Sequence, residues 1–520
     1  MAQRTPSRVT STANSTVPVD CGCANENPGF AARDPNQLST ELLAIKPILS
    51  RFVHRFDRGE SASFFHSLFV KAVYLPRQIA DHIAALDGSV SLQSVLDALP
   101  SGDRYDVASV LPALIENRML LGTPDTDETV LRSFKKLLQP FNINLVYFVV
   151  TDACNFSCSY CFMLKSTPAF KEARRIGTNR MSAATAVEGL RMVLRHVEAR
   201  EDGEPLQIVF YGGEPLLNLN AIRAVLEEIN AGLSRGELTK RPKAVIITNG
   251  SLFTDETAAL FKENSVQVGF SIDGDTAIND ASRISKDGVS AFSHVERAIS
   301  CCHRNELEFG FSVTLTPSAV DHFDIVMQTI RHFRPQSVGF NLLFDDPDLH
   351  LPDDYPARAT ASMLEAFDEL ADLGILEDRV MRKARAFAEQ RFYPYDCGAA
   401  GGNQIIVAPD GQVGICHGFL RDRRYFVTDV HDQHFIPSGN PDFVEWSQRS
   451  PINMPQCQSC FALGLCGGGC PMNAARERSS IWDLDCRACI HSKVIVEWLV
   501  WRLYDRALPV RSQRSTGQMV

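Results

Sequence analysis

LVYFVVTDACNFSCSYCFM, residues 145–163, runs an apolar segment straight into three cysteines, Cys154, Cys158 and Cys161. The first seven residues are mostly β-branched or aromatic, which predicts a strand buried on both faces. The cysteines then occupy the loop at that strand's C-terminal end, where α/β folds collect function. Three thiolates hold a cubane cluster by three irons and leave the fourth iron open, whereas structural zinc usually takes four protein ligands in paired knuckles. On spacing alone, structural zinc and three merely buried thiols stay open as alternatives.

The same texture continues on the C-terminal side. LQIVFYGG, AVIITNG, VQVGFSIDG, FGFSVTLT and SVGFNLLF alternate with amphipathic segments such as SAATAVEGLRMVLRHVEA and NAIRAVLEEINAGL. Apolar strands separated by helices imply an α/β fold with a parallel sheet, wound open or curled into a barrel. Upstream, SRFVHRFD and SFFHSLFVKAVYL predict strands and three helical segments follow, with Ser91 as an N-cap and Pro76 in a tolerated place beside a first helical turn. GTPDTDET, from residue 122, reads as a linker. Residues 1–40 are rich in Ser, Thr, Pro, Asn and Asp, and predict a disordered segment in which Cys21 and Cys23 are a solvated pair. The expected organisation is a unit at 41–122, a barrel at 138–390, a Cys-rich loop domain at 391–505 and a tail at 506–520.

A chain of 520 residues, 45% hydrophobic, buries its cores without covalent staples. Its fifteen cysteines and polar N-terminus, with no apolar signal core, place it in the reducing cytoplasm. No apolar run reaches the length of a membrane span. A net charge of −10 argues against a nucleic-acid partner.

CNFSCSYC, with Tyr160 before the last cysteine, resembles the signature of radical S-adenosylmethionine (SAM) enzymes. YGGEP at 211–215, ITNG at 247–250 and FSIDG at 270–274 followed by Arg283 resemble that family's later strand-end motifs, in order. The resemblance implies a partial (β/α)6 barrel, a [4Fe-4S] cluster on Cys154, Cys158 and Cys161, and S-adenosylmethionine held with the help of Tyr160, Gly212, Gly213, Glu214, Pro215, Asn249, Ser271 and Arg283. It also implies reductive cleavage of that cofactor to a 5'-deoxyadenosyl radical, with the electron arriving from an external donor such as flavodoxin or ferredoxin.

A second cysteine region follows. Cys397 and Cys416 are spaced C-x13-G-x4-C, and Cys457, Cys460, Cys466 and Cys470 form C-x2-C-x5-C-x3-C, with Cys486 and Cys489 beyond. Taken alone, such knuckles also read as a zinc ribbon. Beside the first motif they resemble a SPASM extension, which implies two auxiliary [4Fe-4S] clusters, one on Cys397, Cys416 and Cys470 and one on Cys457, Cys460, Cys466 and a late cysteine. Either Cys486 or Cys489 fills that last place, and no fourth ligand of the first auxiliary cluster stands out near residue 403. Cys301 and Cys302 read as core thiols, His303 as an exposed or satisfied histidine, and His417 as a group able to hydrogen-bond a cluster. Asp273, Tyr395, Asp345 and Asp346 are candidates for catalytic acid, base or relay.

SPASM-bearing enzymes modify peptides and proteins, so the resemblance implies a precursor peptide or protein substrate. The strand-then-helix unit at 41–122 is similar to the winged-helix peptide-recognition element of ribosomal-peptide maturation systems. It predicts strand addition by a leader peptide near FVHRFD or FFHSLFVKAV. A sulfatase-maturing, formylglycine-forming enzyme and a non-catalytic metal-stabilised scaffold are the alternatives.

Overall fold

The computed structural model describes residues 38–138, 142–163, 179–197, 205–344 and 349–507. Of the segment 1–40 expected to be disordered, residues 1–37, with Cys21 and Cys23, lie outside them, as do Asp345, Asp346 and the tail beyond 507, whereas Ser39 caps a helix that starts at Thr40.

The first unit carries β1 (Ile48–Leu49), β2 (Val53–Arg58), β3 (Ser61–His66), β4 (Lys71–Pro76) and β5 (Leu120–Leu121). β2, β3 and β4 form an antiparallel meander with β3 central, while β1 pairs with β5. Three helices, Arg77–Ala84, Leu92–Ala98 and Ser101–Glu116, pack on the meander, and Ser91 Oγ caps the second by accepting from Ser94 N–H at 3.2 Å. Phe64, Val73 and Leu75 meet Ile79, Ile83, Leu111 and Leu114 in its core.

The expected linker after residue 122 is corrected by the structure: residues Asp125–Lys136 are a helix. Asp125, Asp127 and Glu128 lie in its first turn, where carboxylates complement the unpaired N–H groups. Asp127 is buried and accepts from Ser50 Oγ at 2.7 Å and Arg51 N–H at 2.8 Å. Val130, Leu131 and Phe134 then join Phe52 and Leu68 to Phe392, Tyr395 and Leu463, so the segment fastens the first unit to the cysteine region.

Six parallel strands form the next layer: β6 (Leu145–Thr151), β7 (Gln207–Gly212), β8 (Lys243–Thr248), β9 (Val266–Ser271), β10 (Phe309–Leu315) and β11 (Ser337–Leu342). Helices start soon after several of their ends, capped by Thr254, Asp275 and Thr316. The sheet does not stop at six. β12 (Leu376–Glu377) adds to β11, and β13 (Gln404–Val407) adds in parallel to β6, followed by antiparallel β14 (Gln412–Gly414) and β15 (Phe426–Asp429). The result is one open ten-stranded sheet with β12 and β15 at its edges. The region from 391, expected to be loop-rich and to end in a helix, also contributes short strands: QIIV is buried throughout and continues the parallel sheet. It ends in the helix Cys486–Ala507, which contains both late cysteines. No helix among the described residues is long and apolar enough to cross a membrane.

Candidate active site

The loop after β6 is held in place from two sides. Ser157 N–H and Ser159 N–H donate to Ile284 O and Ser282 O at 2.7 and 2.9 Å, and Lys286 Nζ donates to Cys154 O at 2.8 Å. Asn155 links across to the end of β8, giving a hydrogen bond to Ser251 Oγ at 2.8 Å and taking one from Asn249 Nδ2 at 3.0 Å. Burial pushes the Cys154 and Cys158 thiols up to about 12 and about 11, so thiolates here require a cationic partner. Three free, half-buried thiols on a braced loop fit a cluster held by soft sulfur ligands.

The GGEP turn lies directly against this loop. A Cβ on Gly212, whose φ is +149°, would stand 2.1 Å from Thr151 O, and one on Gly213 would stand 2.2 Å from Ala153 O. Only glycine permits that approach. The N–H groups of Gly213 and Glu214 donate to those same two oxygens at 3.0 and 2.8 Å. The Glu214 carboxylate, buried and pushed up to about 7 by that burial, accepts from Thr248 Oγ1, Asn249 N–H and Leu216 N–H at 2.7, 2.8 and 3.0 Å. Pro215 opens a 3-10 turn, Pro215–Asn218. Glu214 therefore ties the ends of β7 and β8 together beside the cysteines. Ser271 ends β9 half-buried.

Asp273 is fully buried. Arg283 donates to both of its oxygens, through Nε at 3.0 Å and Nη2 at 2.9 Å; Tyr160 Oη and Thr314 N–H add bonds of 2.5 and 2.9 Å. All four acceptor positions of a carboxylate are thus filled. In this arrangement Asp273 orients Arg283 and Tyr160, which also meet as a cation and ring 5.5 Å apart. Tyr395 belongs to another part of the fold. Its hydroxyl donates to Ser447 O at 2.7 Å and its ring belongs to the core joining the first unit to the cysteine region.

Seven of the eight later cysteines divide into two groups. Cys397, Cys416 and Cys470 lie within one another's electrostatic reach, and burial raises all three thiols. Cys457, Cys460, Cys466 and Cys489 form the second group, with Cys489 facing Cys466 and Cys457. Cys486 stands apart, its Sγ taking a contact from Arg478 Nη2 at 3.5 Å. Among the described residues no three His, Cys, Asp or Glu side chains converge on a point that would hold a single metal ion. A cubane spaces its ligands around a larger body, which suits these groups.

Rings fill the space between Cys161 and Cys416. His417 stacks on Tyr147 at 4.9 Å and meets Tyr211 and Phe162 at 4.9 and 5.7 Å, with Nδ1 unpartnered among the described residues. Burial pushes His417 down to about 4. The sequence reading missed Tyr147 and Tyr211; their half-exposure within strands otherwise buried is visible only once β6 and β7 pair. Cys301 and Cys302 are core residues, as expected, and His303 is exposed.

The radical SAM superfamily model matches residues 148–330. Residues 148–330 are a radical SAM domain. The chain is 22% identical over 477 residues to the radical SAM cyclopropyl synthase TigE of Paramaledivibacter caminithermalis, covering 88% of this chain and 96% of that protein. It is 24% identical to the cysteine-type anaerobic sulfatase-maturating enzyme of Clostridium perfringens (strain 13 / Type A), over 70% of this chain and 98% of that one. In fold it resembles native anSMEcpe with bound AdoMet, with TM-score 0.59 at 19% identity, over 70% of this chain and 98% of that one. It also resembles Streptococcus suis SuiB bound to S-adenosylmethionine, with TM-score 0.50 at 13% identity, over 85% and 99%. A radical SAM domain thus lies within a chain that is similar, over most of its length, to enzymes of both peptide and sulfatase maturation.

Proposed function

We propose that this enzyme is a peptide maturase that installs a crosslink or another carbon-centred modification on a precursor peptide. The observation that carries this reading is the first unit, a three-stranded sheet with helices docked on the cysteine region. The TigE match, covering 88% of the chain, reaches into that unit, whereas the sulfatase-maturating match covers 70%. Bound to Cys154, Cys158 and Cys161, the cluster with S-adenosylmethionine supplies the radical that abstracts hydrogen. The chain's own residues do the rest: Glu214 and Asn249 fix the loop, Asp273 holds Arg283 and Tyr160 toward the cofactor, and the rings of Tyr147, Tyr211 and His417 keep water from the space between the cysteine groups.

The two auxiliary clusters belong to Cys397, Cys416 and Cys470, and to Cys457, Cys460, Cys466 and Cys489. An external donor such as flavodoxin or ferredoxin feeds the system. A leader peptide adds along β2, whose outer edge is unpaired among the described residues. Of the segment FFHSLFVKAV, FFH closes the central strand β3, while KAV opens β4, the other edge of the same sheet.

The test is anaerobic turnover of a short precursor peptide encoded beside this gene, with and without its leader, against a peptide carrying a sulfatase active-site sequence. Mass change in the precursor that weakens when the leader is removed supports the proposal. Modification of the sulfatase peptide alone overturns it in favour of sulfatase maturation.

A further inference from the structure

The two auxiliary cysteine groups are joined by one short turn, Cys466-Gly-Gly-Gly-Cys470, which gives its first residue to one group and its last to the other. Three cations surround it, two of them buried and the third, Arg487, partly so. Lys383 donates to Cys466 O at 3.2 Å and is paired with Asp396 Oδ1 at 3.0 Å. Arg487 is paired with Asp485 at 3.2 Å, and Asp485 in turn accepts from Cys470 N–H at 2.9 Å. The third is Arg449, which has no exposed surface at all.

Arg449 differs from the other two in its partners. Its Nη1 donates to Gly468 O at 2.8 Å, its Nη2 to Asp483 O at 3.0 Å, and its Nε to Ile481 O. Every one of these is a peptide carbonyl, and no carboxylate among the described residues bonds it. The turn is shaped around the guanidinium: Gly468 has φ +83°, and a Cβ there would stand 3.1 Å from Arg449 Nη1. The groups facing Arg449 include Cys397, Cys470, Cys466 and Cys457, and Asp485, which is already engaged by Arg487 and by Asn473 Nδ2.

A desolvated cation without a counter-charge is among the costliest things a fold can bury. Carbonyl dipoles solvate it but do not neutralise it. Thiolate-ligated iron–sulfur clusters carry net negative charge, and nearby charge is one of the levers that set their potentials. We infer that Arg449 is the shared counter-cation of the two auxiliary clusters, holding the turn between them and raising the reduction potential of both. This rests on the reading of the two cysteine groups as cluster ligands.

The test compares full-length wild type, Arg449→Gln and Arg449→Lys after anaerobic reconstitution, by iron and sulfide content and by redox titration followed by electron paramagnetic resonance. At the potential that half-reduces the wild-type auxiliary clusters, Arg449→Gln shows a ratio of reduced to oxidised cluster about tenfold lower, equivalent to 59 mV for one electron. The cluster on Cys154, Cys158 and Cys161 keeps its midpoint, and Arg449→Lys keeps the wild-type ratio. Should Arg449→Gln fail to hold its clusters, the wild-type ratio in Arg449→Lys still supports the charge role. Unshifted auxiliary midpoints in fully loaded Arg449→Gln overturn it, as does a Lys variant shifted as far as the Gln variant, or loss of clusters from both, which makes Arg449 a strut alone. Wild type that reconstitutes only one cluster overturns the cluster-ligand reading, and this inference with it.

Discussion

Gly464 approaches Ser67 so closely that a Cβ on Gly464 would stand 2.1 Å from the Ser67 carbonyl oxygen. Gly464 lies between Cys460 and Cys466, and Ser67 follows β3, so the contact locks the first unit against the second auxiliary cysteine group. Tyr74 Oη donating to Val500 O at 2.5 Å and Arg58 stacked 4.4 Å from Trp501 extend the same seam. The obstacle at Gly464 is backbone, which cannot swing aside. Gly464→Ala is expected to destabilise the protein by about 1–3 kcal/mol, the range for overpacking a filled site. Thermal unfolding checks it; an unchanged midpoint would show that the seam is looser than these distances.

Asp273 holds Arg283 through two parallel bonds in a buried site. Asp273→Asn removes the negative charge and leaves Arg283 unpaired, which costs about 3–5 kcal/mol when one partner of a buried pair is lost. The expected result is weaker S-adenosylmethionine binding, by tenfold or more, with a matching fall in 5'-deoxyadenosine formation. Because Asp273 positions and does not exchange protons, the pH profile of the residual activity keeps its shape. A profile that loses one limb in Asp273→Asn would restore the acid–base role.

The parallel strands were readable because β6, β7 and β8 are apolar on both faces while β9 and β10 alternate apolar with small or polar residues, and the cysteine loops because their spacing has few other uses. The helix Asp125–Lys136 was not, since its opening turn is acidic and looks like solvent-exposed linker until Asp127 is seen accepting from Ser50 and Arg51. β13 hid in a Gly-rich stretch because four residues of QIIV are too short to carry a period. Arg449 was invisible for a different reason. Its partners come from residues 468, 481 and 483, and nothing local marks an arginine that will lose all its water.

His66, at the end of β3, is buried between Phe52 and Phe69 and accepts from Phe69 N–H through Nδ1 at 3.4 Å. Burial pushes it down to about 3, with His54, Lys71 and Arg118 adding repulsion. A histidine depressed in the folded state is charged more readily when unfolded, so its contribution is complete above the ordinary value of 6.5 and is lost as pH falls toward 3. Stability should drop by about 1 kcal/mol per pH unit below 6.5 from this group. Denaturant unfolding of wild type and His66→Phe between pH 7.5 and about pH 5 measures it. The variant should show the shallower decline, and parallel curves would assign the acid sensitivity elsewhere.

Cys486 and Cys489 occupy successive turns of one helix, and their spacing puts them on neighbouring but distinct parts of its face. Cys489 faces Cys466 and Cys457, while Cys486 contacts Arg478. A cluster needs its fourth thiolate on the side where the other three already stand, and only Cys489 is there. Cys489→Ser is therefore expected to lose most of the iron and sulfide of one auxiliary cluster. Cys486→Ser should retain full iron, full sulfide and wild-type spectra. The comparison separates ligation from a general weakening of the helix, since both substitutions alter the same first turns by one atom. Equal iron loss from both variants would mean that the helix start, and no particular thiol, controls cluster retention.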